Sequence, residues 1–248
     1  LGVFWVASVS PSGFFRGRSA DPAGRTGVRV DLLTVGRTSY DWTTGGAWAL
    51  SQYPPGLYRF AEDGSVLREV PAIRVAGEGA DRSFETFSNL RVAPDATWGA
   101  VSYNGNDIAR GIYALDLLPT VPTATLVVDS SVTLAASELS SPLAGGVPFL
   151  WTIDTSGVVR TVDLGGVFSS TFLTLSDRSS SNILQVSVAR SLADNRLCIA
   201  SVDFAGGVLN MRRVSGSGVV ETLGTMTLPV GNLSFAAAAS HVGSTHVC

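Results

Sequence analysis

The chain has 248 residues, 45% of them hydrophobic and only 15% charged, with a net charge of -3. That balance excludes intrinsic disorder and leaves no electrostatic case for nucleic acid or an anionic membrane surface as a partner. The longest apolar runs fall far short of a membrane span, and all 17 basic residues are arginine.

The first segment, LGVFWVAS, has neither the basic region nor the cleavage site of a signal peptide, and the chain lacks an initiator methionine. An apolar stretch ends at Ser8, a turn-like VSPS follows, and Gly13 opens a second apolar stretch, Phe14-Phe15. The same arrangement returns along the chain. WALSQ52 is followed by YPP and Gly56-Leu57-Tyr58, and GAVSY103 by NGNDIAR and Gly111-Ile112-Tyr113. LWTID154 is followed by TS and Gly157-Val158-Val159, and CIASV202 by DFAG and Gly207-Val208-Leu209. Two apolar runs joined by a Gly-, Pro- or Asn-containing turn predict a β-hairpin. The five glycines are spaced by 43 to 55 residues, so five units of about 50 residues use the whole chain.

Around these hairpins lie further strand-like segments rich in Val, Thr and aromatic residues. SVLREVPAI, TATLVVDS, STFLTLSD and GVVETLGTMTL fit outer strands. NLRVAPD, SVTLAASE, ILQVSVAR and the C-terminal NLSFAAAAS fit inner strands. On the first strand of each hairpin both faces are apolar: Trp48, Leu150 and Cys198 lie on one, Trp5, Trp151 and Ile199 on the other. A strand apolar on both sides is covered on both sides. No segment has a helical period.

This pattern resembles the β-propeller superfamily. LRVAPDATWGAVSYN and QVSVARSLADNRLCIASVD are similar to the inner strand, turn and second strand of a propeller blade. The resemblance implies an all-β, five-bladed β-propeller with four-stranded antiparallel blades, residues 1–248 forming one domain. The hairpin beginning at Phe4 is expected to pair with the strand near 233–239 and close the ring. HVGSTHVC at the C-terminus has no place in this scheme, and the repeats lack the Trp-Asp dipeptide of WD repeats.

Some five-bladed propellers are glycosidases, whose chemistry needs two carboxylates flanking the sugar. The resemblance makes Asp41, next to Trp42 on an inner strand, and Glu138, in LAASELSS, the catalytic candidates. The structural alternatives are a turn acid at Asp41 and a solvated strand end at Glu138. Asp95 and Asp194, in APDA and LADN, fit turn formers. Cys198, in phase with Trp48 and Leu150, is expected as a buried thiol, since Cys198 and Cys248 make no disulfide framework. His241 and His246 have no partners at metal-ligand spacing, so neither a metal site nor a cofactor site is expected.

Without a convincing catalytic set, the sequence favours a non-enzymatic structural or protein-interaction module. A component of a viral or phage particle, at the tail or capsid surface, is the setting that fits, so an extracellular or virion location is expected. Other chains of an assembly are the expected partners, with a surface glycan as a second candidate; no nucleic acid and no membrane are expected. A lectin-type carbohydrate-binding propeller and a five-bladed glycosidase using Asp41 and Glu138 are the alternatives.

Overall fold

The computed structural model describes residues 3–7, 14–18, 29–30, 38–43, 46–52, 55–61, 65–93, 95–140, 148–177, 184–190, 196–203, 205–228, 240–242 and 245–247. At 3–42, 189 and 240–247 the description is of the backbone. All regular elements among these residues are strands. The chain divides into two compact units, 1–126 and 127–248.

In the first unit, β1 (Val3–Ala7), β2 (Phe14–Arg18) and β3 (Arg29–Val30) form a three-stranded sheet. Next, β4 (Thr38–Thr43), β5 (Gly46–Gln52), β6 (Pro55–Ala61) and β7 (Val66–Val70) form a four-stranded antiparallel meander. A hairpin of β8 (Ala72–Val75) and β9 (Asp81–Ser83) precedes β10 (Phe87–Val92), β11 (Trp98–Tyr103), β12 (Gly111–Asp116) and β13 (Thr123–Asp129). β13 carries the boundary between the units. The sheet order is β10-β11-β12-β13-β8-β9, because β8 runs parallel to β13 with Arg74 opposite Thr123.

The second unit holds two more meanders. One is β14 (Leu134–Leu139), β15 (Phe149–Asp154), β16 (Val158–Asp163) and β17 (Leu173–Thr174). The other is β18 (Val186–Arg190), β19 (Leu197–Asp203), β20 (Val208–Val214) and β21 (Val220–Thr227). A short hairpin, β22 (Ser240–Val242) and β23 (Thr245–Val247), follows.

All five expected hairpins are present: β1–β2, β5–β6, β11–β12, β15–β16 and β19–β20. Gly157 and Gly207 show why the second strand opens on glycine, since both have left-handed backbones with φ of 86° and 61°. The inner strands β10, β14 and β18 also occur where NLRVAPD, SVTLAASE and ILQVSVAR place them.

Three features differ from expectation. SVLREVPAI is not one outer strand: it breaks at Pro71, which has no N–H for a ladder, and β8 leaves for another sheet. HVGSTHVC supplies most of the unassigned hairpin β22–β23. Cys198 is not a free thiol but is disulfide-bonded; the chain's one other cysteine, Cys248, lies outside the described residues. The strand expected at 233–239, and with it the closure onto the Phe4 hairpin, also lies outside them.

The cores follow from the two-faced strands. β5, β11, β15 and β19 are buried along almost their whole length. In the first unit Trp48, Leu57, Phe84, Phe87, Tyr103 and Tyr113 belong to one apolar cluster. In the second, Trp151 packs with Ile153 and Leu175 of its own meander and with Leu197, Ile199 and Val214 of the next. Trp151 is fully buried, as its repeat phase requires.

Candidate functional site

Most described aspartates have local duties at strand ends. Asp95 accepts hydrogen bonds from the Thr97 N–H at 3.2 Å and its hydroxyl at 3.0 Å, as expected of a turn former. Asp154 accepts from the N–H groups of Ser156 and Val158, and Asp163 from those of Gly165 and Val167. Asp116, Asp129 and Asp203 each accept the N–H two residues on. A short carboxylate closing its own turn replaces a missing backbone bond.

Two acidic side chains in the second unit are different. Glu138, near the end of inner strand β14, is 9% exposed, so it is not the solvated strand end of the structural alternative. Its Oε1 accepts the Leu139 N–H at 2.9 Å and lies 3.8 Å from Nη1 of Arg190 on β18. This ion pair joins two neighbouring inner strands.

Asp177 follows β17 and is 5% exposed. Its Oδ1 accepts from Asn210 Nδ2 at 2.9 Å. Its Oδ2 accepts from the Ser201 hydroxyl at 2.5 Å and Arg212 Nη1 at 2.7 Å, and the same Arg212 nitrogen reaches Ser201 Oγ at 2.9 Å. Charge and polar groups are thus matched in a buried place, the condition under which burying a carboxylate is tolerated. Ser201 is fully buried, so its hydroxyl serves this network rather than a substrate. Sequence reasoning singled out none of the four residues; the only trace is the polar Asn210 and Arg212 at alternate positions of β20, which also carries Arg213.

Among the sequence candidates, Asp41 lies on β4 opposite Trp48 in the backbone register; its side chain is outside the description. Asp41 and Glu138 belong to different units. Asp194 lies outside the described residues. The register of β22–β23 sets His241 opposite His246. Among the described residues no group of three or more His, Cys, Asp or Glu could hold a metal ion. Among the described residues no helix is long and apolar enough to cross a membrane.

The surface offers two further features. An open depression of about 340 Å³ in the second unit is lined by Pro148, Phe149, Thr161, Asp163, Phe168 and Ser169. The Arg160 guanidinium lies 4.1 Å from the centre of the Phe168 ring. In the first unit Arg68 reaches from β7 to donate to the carbonyls of Leu117, Pro119 and Thr120, tying one meander to the turn of the next. Burial, together with the charge of Arg59, lowers the pKa of Arg68.

No family model matches the sequence, and no curated protein matches it. Solved structures do. An oligogalacturonate lyase in complex with manganese superposes with a TM-score of 0.53 at 10% identity, over 86% of this chain and 59% of that one. The fold is of the β-propeller type. Its repeating unit is the four-stranded antiparallel meander. The WD40 domain of SCAP from fission yeast gives a TM-score of 0.44 at 12% identity over 77% of this chain and 44% of that one. Prolyl oligopeptidase B from Galerina marginata gives 0.49 at 11% identity over 94% of this chain and 32% of that one. The chain therefore spans about half the length of the SCAP domain and the lyase, and at these identities the propeller likeness extends to the fold alone.

Proposed function

We propose that the chain is a non-enzymatic five-bladed β-propeller acting as a structural or protein-interaction module. Residues 1–248 form its single domain, and the strand near 233–239 closes the ring onto the hairpin beginning at Phe4. One observation carries this assignment: the buried acids among the described residues are engaged in holding strands together. Glu138 is set against Arg190 and the Leu139 N–H, and Asp177 is enclosed by Ser201, Asn210 and Arg212. A general acid or nucleophile must instead open onto a pocket within reach of its substrate.

The proposed partners are other protein chains of an assembly, and a viral or phage particle, at the tail or capsid surface, is the proposed setting. The disulfide at Cys198 supports an oxidising location outside a reducing cytosol. A glycan is the second proposed ligand, supported by the depression that combines the rings of Phe149 and Phe168 with the hydroxyls of Thr161 and Ser169.

The test is hydrolysis of a panel of furanosides and pyranosides by wild type, Asp41→Asn and Glu138→Gln, beside a glycan array and the native mass of the assembly that contains the chain. No turnover, no glycan retention and a stoichiometric complex with protein chains are expected. Turnover by the wild type that disappears in Asp41→Asn would make the protein a glycosidase. Glycan retention lost on Phe168→Ala would make it a lectin.

A further inference from the structure

The outer strand of a blade presents a row of unpaired N–H and C=O groups, and proteins blunt such edges by covering, shortening or charging them. Three of the four described outer strands of the complete meanders follow that rule. The edge of β13 is covered by β8. β17 is only two residues long. β7 has five residues and carries the adjacent charges Arg68 and Glu69.

β21 is neither short nor covered by a described strand. It has eight residues, is exposed at all but one of them, and contains neither Pro nor Lys. Its single charge, Glu221, is drawn back onto its own sheet by Arg213 at 2.6 Å and Arg196 at 3.4 Å. Val219, Val220, Leu223 and Met226 are four of the eight large hydrophobic residues exposed among the described residues.

We propose that β21 pairs antiparallel with β21 of a second copy across a two-fold axis, joining two blades into one continuous sheet. The shape of the strand favours its own copy as the occupant. Met211 of β20 is opposite Gly224 and Arg212 is opposite Thr222, so Leu223 is an extra, bulged residue. Val220, Thr222, Thr225 and Thr227 consequently share a face with Val214, Arg212, Asn210 and Val208, while Glu221, Gly224 and Met226 share the other. Read from either end, the face pattern of the six residues outside Leu223 and Gly224 is the same. A regular eight-residue strand lacks that symmetry, since reversing it end for end puts each residue opposite one on the other face.

The self-pairing register sets Val220 opposite Thr227, Glu221 opposite Met226, Thr222 opposite Thr225, and the bulged Leu223 opposite Gly224, where there is no side chain. Glu221 does not meet its own copy, so no like charges are opposed, and the contact closes on itself as an isologous interface does.

The inference goes beyond the interaction-module assignment, because a monomeric chain would overturn it and leave that assignment standing. Sedimentation equilibrium of the full chain over a hundredfold range of concentration is expected to give twice the 25.8 kDa chain mass. Met226→Glu sets carboxylates opposite Glu221 twice and is expected to weaken the dimer at least tenfold. Met226→Arg sets opposite charges there and should leave it as tight or tighter. Both substitutions are on an exposed side chain, and unchanged circular dichroism will show that each variant folds. A wild type at the monomer mass, a dimer indifferent to Met226→Glu, an equal loss with Met226→Arg, or oligomers that grow beyond two would each overturn the proposal.

Discussion

Trp151→Ala tests whether the repeat phase identifies the core. The indole is fully buried on β15, between its own meander and β18–β20. Truncating a large buried aromatic costs about 3–5 kcal/mol. Two edge-to-face contacts raise the expectation: the ring lies 5.4 Å from Phe149 at 74° and 5.9 Å from Phe172 at 69°, each pair worth about 0.5–1.5 kcal/mol beyond its area. One term lowers it. Nε1 is buried with no hydrogen-bond partner among the described residues, and leaving such a donor unsatisfied costs about 1–3 kcal/mol. The two adjustments are of equal size, so the balance stays at about 3–5 kcal/mol for Trp151→Ala. Trp151→Phe keeps an aromatic ring and removes the unsatisfied N–H, so it should cost less than half as much. The assay is urea unfolding followed by far-ultraviolet circular dichroism, with calorimetry alongside. For a chain of this size 1 kcal/mol corresponds to about 2–4 °C in Tm, so Trp151→Ala should melt roughly 6–20 °C lower. A loss below about 1 kcal/mol, or a Phe variant as damaged as the Ala variant, would refute the packing argument.

Three further outcomes are expected. Glu138→Gln should cost about 3 kcal/mol by stripping the Arg190 guanidinium of its buried carboxylate, and the double variant Glu138→Met/Arg190→Met should cost less than half of that in the same urea assay. Gly157→Ala should cost about 2 kcal/mol or more, because an L residue is strained in the left-handed region and its Cβ would lie 2.4 Å from the Leu175 carbonyl oxygen, at a φ of 86°; a neutral Tm would refute this. The Ser131 hydroxyl and N–H hold the Asp129 carboxyl below its ordinary 3.8. A depressed folded pKa contributes stability that is present above the unfolded value and lost as the pH falls through the folded one. Ser131→Ala should therefore move the Asp129 titration upward toward 3.8 in a carboxyl NMR experiment, and an unmoved titration would refute the assignment.

The hairpins were legible because the signal is local and repeated. A turn, a glycine and an apolar run recur at each unit, and Gly157 and Gly207 need the left-handed backbone that glycine supplies. The double-faced burial of β5, β11, β15 and β19 was legible for a similar reason, since a strand apolar on both sides has few other solutions. The polar network was not. Asp177, Ser201, Asn210 and Arg212 come from three segments, and nothing in their local sequence says which carboxylate will meet which guanidinium. Glu138 misled for the complementary reason: its polar neighbourhood in ASELSS suggests solvent, and only the adjacent strand brings Arg190 to it. The break at Pro71 was visible as a residue, but the destination of β8, on another sheet, depends on a pairing partner 49 residues away.

That distant pairing has a consequence for synthesis. β8 and β9 leave the ribosome before any strand of the sheet they join, yet the edge they join, β13, is the last of it to appear. Arg74 must wait for Thr123, and at about 5–20 residues per second that delay is roughly 2–10 s. For that interval the nascent hairpin, with Ile73 and Val75 destined for full burial, is apolar surface without a home. Because the cost of loop closure rises only slowly with length, the wait adds little to the final stability. Its weight falls on the growing chain, where the β8–β9 segment is the place at which a chaperone would bind or a neighbouring nascent chain would mispair.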